Sequence, residues 1–213
     1  MSFISYLFPQ TIATVNSDFN GTIYVKEVFG RRYIEVGGLM QSGRILEKLF
    51  RAAINKINAF RKTEIKKILL LGVGGGTIIR LLKASFPEAT LVGVDIDASI
   101  VEVGEKYLGL TLDKTIDLRI GDVFDPKLDL GKDYDLIMVD LFQGYTVPNQ
   151  INSPIFLKKL QSLLVPLGIV VFNRLYFQKY KLEADLFIDN VRKIFHHVTS
   201  HKHYFNILIF SEK

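Results

Sequence analysis

The chain predicts an α/β domain, a mostly parallel sheet with helices on both faces, preceded by a small N-terminal β-hairpin. Three observations carry that expectation. Short aliphatic runs without charge recur at Ile68 to Leu71, Leu136 to Val139 and Ile169 to Phe172, which suits strands covered on both faces. Stretches of helical periodicity alternate with these runs, as parallel neighbours require, because each parallel connection must cross back over the sheet. Several of the runs end in glycine or aspartate, so polar groups gather at the carboxyl ends of the strands, where an open α/β sheet binds its ligands.

Residues 11 to 40 alternate in the manner of strands. Thr22 to Phe29, a turn at Gly30-Arg31 and Arg32 to Val36 read as a hairpin closed by Gly37-Gly38, and residues 1–43 form an N-terminal element ahead of the main domain, 44–213. Ile45, Leu46, Leu49, Phe50, Ala53, Ile54, Ile57 and Phe60 then share one face of an amphipathic helix. Ile68 to Leu71 is the first strand of the main sheet and Thr90 to Val94 the second, with a glycine turn and a helix from Thr77 between them. Ala98 to Leu108 is a helix, Ile116 to Ile120 a third strand, and Leu136 to Val139 a fourth. Ser153-Pro154 has the form of an N-cap and first-turn proline for a helix over Ile155 to Leu164. Pro166-Leu-Gly turns the chain into the fifth strand. A helix over Lys179 to Ile194 precedes two strand-like runs in 195–210, joined too closely to be parallel.

With 213 residues, 48% hydrophobic and 23% charged, the chain is long enough for one domain with a sizeable core. Its formal charge of +5 is spread among nearby acids, which predicts a solvated surface and no nucleic-acid stripe. The absence of Cys excludes a disulfide scaffold, a thiolate zinc site and a cysteine nucleophile. No apolar run approaches the ~20 residues of a membrane span. The opening MSFISYLFPQ has neither a basic leader nor a small-residue cleavage site, so a cytoplasmic protein with no membrane partner is expected.

The chemistry concentrates between Lys67 and Asp97. Gly72, Gly74, Gly75 and Gly76 form a strand-to-helix turn that lets a ligand approach the backbone. Asp95 and Asp97 end the second strand about 20 residues on, where an acid can accept both ribose hydroxyls. The glycine spacing is G-x-G-x-G. The third glycine of a dinucleotide fingerprint is replaced by Thr77, and the Lys-Ser/Thr of a P-loop is missing. What remains is a ligand with adenosine and a short charged tail but no phosphate, such as S-adenosylmethionine. Asp122 and Asp140 end the third and fourth strands, so four polar strand ends converge on one crevice. His196, His197, His201 and His203 lack a companion Cys or acid pair, and no metal is expected there.

From about Phe19 onward these residues resemble the class I S-adenosylmethionine-dependent methyltransferases, and within them the spermidine-synthase-like branch. The features are the glycine turn, Val94-Asp95-Ile96-Asp97, Gly121-Asp122-Val123-Phe124, the hairpin ending in Gly38-Leu-Met-Gln41-Ser42, and Asp133-Tyr-Asp-Leu-Ile-Met-Val-Asp140 with its gate-like loop. The resemblance implies a seven-stranded Rossmann-like sheet whose last strand is antiparallel, and it suggests a homodimer, with which an exposed N-terminal hairpin is compatible. It further implies that Asp95 holds the ribose, Asp122 accepts from the adenine amino group, Gln41 contacts the nucleoside and Asp140 is the base. Three positions depart from the branch. Gly75 stands where the family has an Asp for the aminopropyl ammonium, Gln143 replaces the second acid of a D-x-x-D pair, and Phe50-Arg51 replaces a Tyr-His pair. Methyl transfer from S-adenosylmethionine to a small-molecule acceptor is therefore the first expectation, with Gly75 sparing the methionine carboxylate an acidic neighbour and Tyr145 shaping the acceptor pocket. Aminopropyl transfer from the decarboxylated compound is the second, and a non-catalytic nucleoside-binding protein the third.

Overall fold

The computed structural model describes residues 8–60 and 64–213. The opening stretch read above as no leader peptide falls largely outside them. The N-terminal element is larger than a hairpin. Strands β1 (Gln10–Ser17), β2 (Gly21–Val28), β3 (Arg31–Val36) and β4 (Leu39–Met40) form an antiparallel meander in that order, with the expected hairpin as its middle pair. The β2–β3 turn falls on Phe29-Gly30, one residue earlier than the spacing predicts. Val28 pairs with Arg31, and Phe29 and Gly30 have φ of 51° and 68°. A two-residue loop with both residues left-handed matches the twist of its strands. Ile23 and Val25 alternate into the core while Tyr24 faces outward.

Helix α1 (Arg44–Phe60) buries Leu49, Phe50, Ala53, Ile54 and Ile57 along one stripe. The main sheet comprises β5 (Lys67–Leu71), β6 (Thr90–Asp95), β7 (Ile116–Ile120), β8 (Tyr134–Val139), β9 (Leu164–Leu175), β10 (His196–His203) and β11 (Asn206–Glu212). Their order is β10-β11-β9-β8-β5-β6-β7. Strands β5 to β9 pair in parallel, and β11 runs antiparallel to both β9 and β10. Helices α2 (Thr77–Ser85), α3 (Ala98–Leu108), α4 (Pro154–Leu163) and α5 (Tyr180–Arg192) complete the layers. The Ser153 hydroxyl accepts from the Phe156 amide at 3.1 Å and Pro154 follows it, the expected cap.

One strand differs from expectation. β9 starts at Leu164, directly after α4, without a separate turn at Pro166. Leu164 pairs with Tyr134 and Ile169 with Leu136, so five steps on β9 face two on β8. The surplus bulges outward with Leu167 at φ 63°, and a bulge tolerates the proline that a regular central strand would reject.

Alternation along each central strand divides the core in two. Ile68, Leu70, Leu136 and Met138 face α1, α2, α3 and the N-terminal sheet. Leu69, Leu71, Ile137 and Val139 face α4 and α5. All eight are at most 2% exposed, which explains why these strands read as unbroken apolar runs. No helix among the described residues is long and apolar enough to cross a membrane.

Candidate active site

Strand β5 has β6 on one side and β8 on the other. The connections from β5 and β8 leave toward β6 and β9, in opposite directions, opening a crevice beyond the carboxyl ends of these strands. A cavity of about 360 Å³ occupies this position. Gln41, Gly72, Gly74, Asp95, Asp122, Asp140 and Gln143 line it, each from a different turn or strand end except the glycine pair.

Asp95 organises the glycine turn. Its Oδ2 accepts from the Val73 and Gly74 amides, both at 2.8 Å, and its Oδ1 from the Asp97 amide at 3.0 Å. Burial raises its proton affinity above the ordinary carboxylate value, and the three amide bonds oppose that rise. Gly72, at φ 92°, is required by close approach: a Cβ there would lie 2.2 Å from the Asp140 carbonyl oxygen. The β5 and β8 strand ends are thus pressed together, and the Asp140 amide donates to the Leu71 carbonyl at 2.8 Å.

The Asp140 carboxylate faces the cavity. Burial pushes its pKa up to about 6, while a bond from the Asn173 amide, 2.8 Å to Oδ1, pulls it down and the negative charge of Asp95 raises it further. Asp122 uses Oδ1 as a turn acceptor for the Phe124 amide at 2.9 Å. Gln41 lines the cavity, and its Nε2 is buried with no hydrogen-bond partner, a donor left unsatisfied within the protein.

Other expected residues lie elsewhere. Gly75 and Gly76 do not line the cavity. A Cβ on Gly75 would come within 2.7 Å of Ile34 and Leu108, and one on Gly76 within 2.7 Å of Leu110. Both glycines let the turn pack closely against the N-terminal sheet and the end of α3, and a side chain at position 75 would start toward Ile34 and Leu108. Tyr145 is 40% exposed and outside the lining. Gln143 lines the cavity, but its Nε2 donates to the Phe19 carbonyl, which ties the gate loop to the β1–β2 turn.

That turn was not anticipated. Phe19 and Asn20 roof the cavity, held by Asp97, whose Oδ2 accepts from the Ser17 hydroxyl at 2.5 Å and Asn20 Nδ2 at 2.6 Å while Oδ1 caps α3 through Ser99. Nothing in the local pattern around residue 20 signals this. Asn173 was also missed, although the signal existed: it is the polar residue ending the fifth strand run. Among the described residues no three His, Asp or Glu side chains gather as metal ligands.

The sheet order and crevice define a Rossmann-like fold of the class I methyltransferase type. The spermine/spermidine synthase domain matches residues 47–211, and the chain belongs to that family. The chain is 34% identical over 108 residues to a probable polyamine aminopropyl transferase of Bifidobacterium longum, covering 49% of this chain and 23% of that protein. It is 26% identical over 190 residues to an eEF1A lysine and N-terminal methyltransferase homolog of Drosophila melanogaster, covering 85% and 28%. The chain thus spans well under two thirds of these relatives. Among solved structures, a probable spermidine synthase from Corynebacterium glutamicum superposes with a TM-score of 0.80 at 17% identity, over 94% of this chain and 79% of that one. Human methyltransferase-like protein 13 in complex with SAH gives 0.64 at 20% identity, over 79% and 82%.

Proposed function

We propose that this chain transfers the methyl group of S-adenosylmethionine to a small-molecule acceptor, with Asp140 as the base. Membership of the family supports a transferase of the spermidine-synthase-like group, and structural neighbours crystallised with SAH or the analogue AdoDATO support an adenosyl co-substrate. The observation that carries the finer reading is the acid content of the cavity. Its lining holds three carboxylates, Asp95, Asp122 and Asp140, and each has a duty: ribose, adenine amino group and base. None is left to face the ammonium of a decarboxylated donor or the far end of a polyamine. A missing carboxylate opposite an ammonium costs about 1.5–3 kcal/mol, so two such losses weaken a polycation's binding by orders of magnitude.

The residues fit an adenosyl ligand on their own chemistry. Gly74 leaves open space where a side chain would stand, and the buried Gln41 Nε2 lacks an acceptor within the protein. Bound S-adenosylmethionine supplies a sulfonium-activated methyl group. The protein's part is to hold the acceptor in line, exclude water beneath Phe19 and the gate loop, and accept the acceptor's proton at Asp140. With a pKa of about 6 this carboxylate is mostly ionised at neutral pH and still a better base than a solvated one.

Aminopropyl transfer is the second reading, favoured by the aminopropyltransferase relatives, which reach the higher identities. Calorimetric titration with S-adenosylmethionine and with its decarboxylated form separates the two. Tighter binding of the carboxylated compound supports methyl transfer. Preference for the decarboxylated compound overturns it in favour of aminopropyl transfer, and binding of neither leaves a non-catalytic protein.

A further inference from the structure

Asp140 does not stand alone at the floor of the cavity. Asn173, at the end of β9 and 3% exposed, donates from Nδ2 to Asp140 Oδ1 at 2.8 Å, and its own Oδ1 accepts from Asn206 Nδ2 at 2.9 Å. The three residues come from β8, β9 and β11, neighbouring strands in the sheet. An ionised carboxylate only accepts, so Asn173 must present its NH₂ to Asp140 and its carbonyl to Asn206, which must present NH₂ in turn. Every amide in the row is oriented by the one before it. Asp140 Oδ2 has no hydrogen bond among the described residues, so the row engages one carboxylate oxygen and leaves the other toward the cavity.

We propose that Asn173, backed by Asn206, is a positioning residue for Asp140: it fixes the rotamer of the carboxylate and stabilises its ionised form, so that Oδ2 alone is presented to the ligand. The inference rests on the reading of Asp140 as the base, but the geometry acts on the carboxylate whatever reaction it serves. The charged group facing Asp140 is Asp95, from the end of β6. Its like charge opposes ionisation, so the bond from Asn173 is the stabilising contact that the described residues supply.

The test is a pH titration of the Asp140 side-chain carbon by NMR in the full chain labelled at aspartate, with the resonance assigned by its loss in Asp140→Asn. A bond to a charged acceptor is worth about 1.5–3 kcal/mol, so Asn173→Leu, close in volume, raises the midpoint by about one to two pH units. Asn206→Ala raises it by less, about half a unit, since it only loosens Asn173. In the double variant Asn206→Ala adds nothing to Asn173→Leu, which is the signature of a row rather than of two independent neighbours. Unchanged midpoints in both single variants, or additive shifts in the double, overturn the inference. Should Asn173→Leu fail to fold, Asn206→Ala alone decides it, an unchanged midpoint counting against it. A moved midpoint with no change in transfer rate at pH 6 would keep the positioning role and remove Asp140 from the chemistry, so the two failures are distinguishable.

Discussion

Replacing Asp140 by Asn should make the protein more stable, and increasingly so as pH rises. The carboxyl has a pKa near 3.8 in an unfolded chain and about 6 when folded. Between those values the unfolded chain has released its proton and the folded one has kept it, so stability falls as pH rises through this window. Below both values no penalty exists, and above both it is constant. At about 1.4 kcal/mol per pH unit the full penalty is about 3 kcal/mol. Asparagine mimics the neutral form and keeps an oxygen for Asn173, so the variant escapes the penalty. Its gain works out at about 0.5 kcal/mol at pH 4, about 1.6 at pH 5 and about 3 at pH 8. These are upper values, because the carboxylate borders a cavity that water can enter. For a chain of this size the pH 8 gain is up to about 6–12 °C in Tm. Urea or thermal unfolding of both proteins at the three pH values is the assay. Carboxylates other than Asp95, whose charge is coupled to that of Asp140, titrate equally in both, so the difference reports residue 140 together with that coupling. A gain independent of pH, or none at pH 8, would refute the burial argument.

Further outcomes follow from single contacts. Gly72→Ala drives a methyl into the Asp140 carbonyl at a backbone position that cannot yield; a loss of at least about 2 kcal/mol is expected in urea unfolding, together with weakened adenosyl binding. Gly75→Asp, which restores the family's acid, should not create a polyamine enzyme, because its Cβ starts toward the Cδ1 ends of Ile34 and Leu108 and not the cavity; it should lose about 1–3 kcal/mol from turning a polar group among apolar side chains, and spermidine-forming activity in a stable variant would contradict this. Asp97→Ala removes a helix cap worth about 1 kcal/mol and the anchor of the β1–β2 turn, so amide exchange at residues 18–20 should rise ahead of the main sheet. Gln143→Ala should cost about 1 kcal/mol or less while speeding exchange in the gate loop, and equal exchange would show that the contact with Phe19 is no latch.

Much was legible in the residues themselves. Periodicity reports how a side chain is disposed within its own element, and that suffices to place α1, α3 and the strands β5 to β8. Charge-free runs mark strands buried on both faces, Ser153-Pro154 marks a helix start, and the acids at 95, 122 and 140 announce themselves by following those runs. Local pattern cannot report which distant segment a residue meets. The Gln143 amide reaches Phe19 across 124 positions, and Asp97 reaches Ser17 across 80; only the docking of the N-terminal sheet over the crevice brings these pairs together. The direction of Gly75 is of the same kind, since a glycine carries no side chain whose polarity could reveal which way it faces. Asp140 shows the division within one residue. Its place at a strand end was readable, whereas its raised pKa and its bond to Asn173 exist because β8 and β9, separated in sequence by a loop and a helix, lie side by side and take most of the carboxylate out of bulk water.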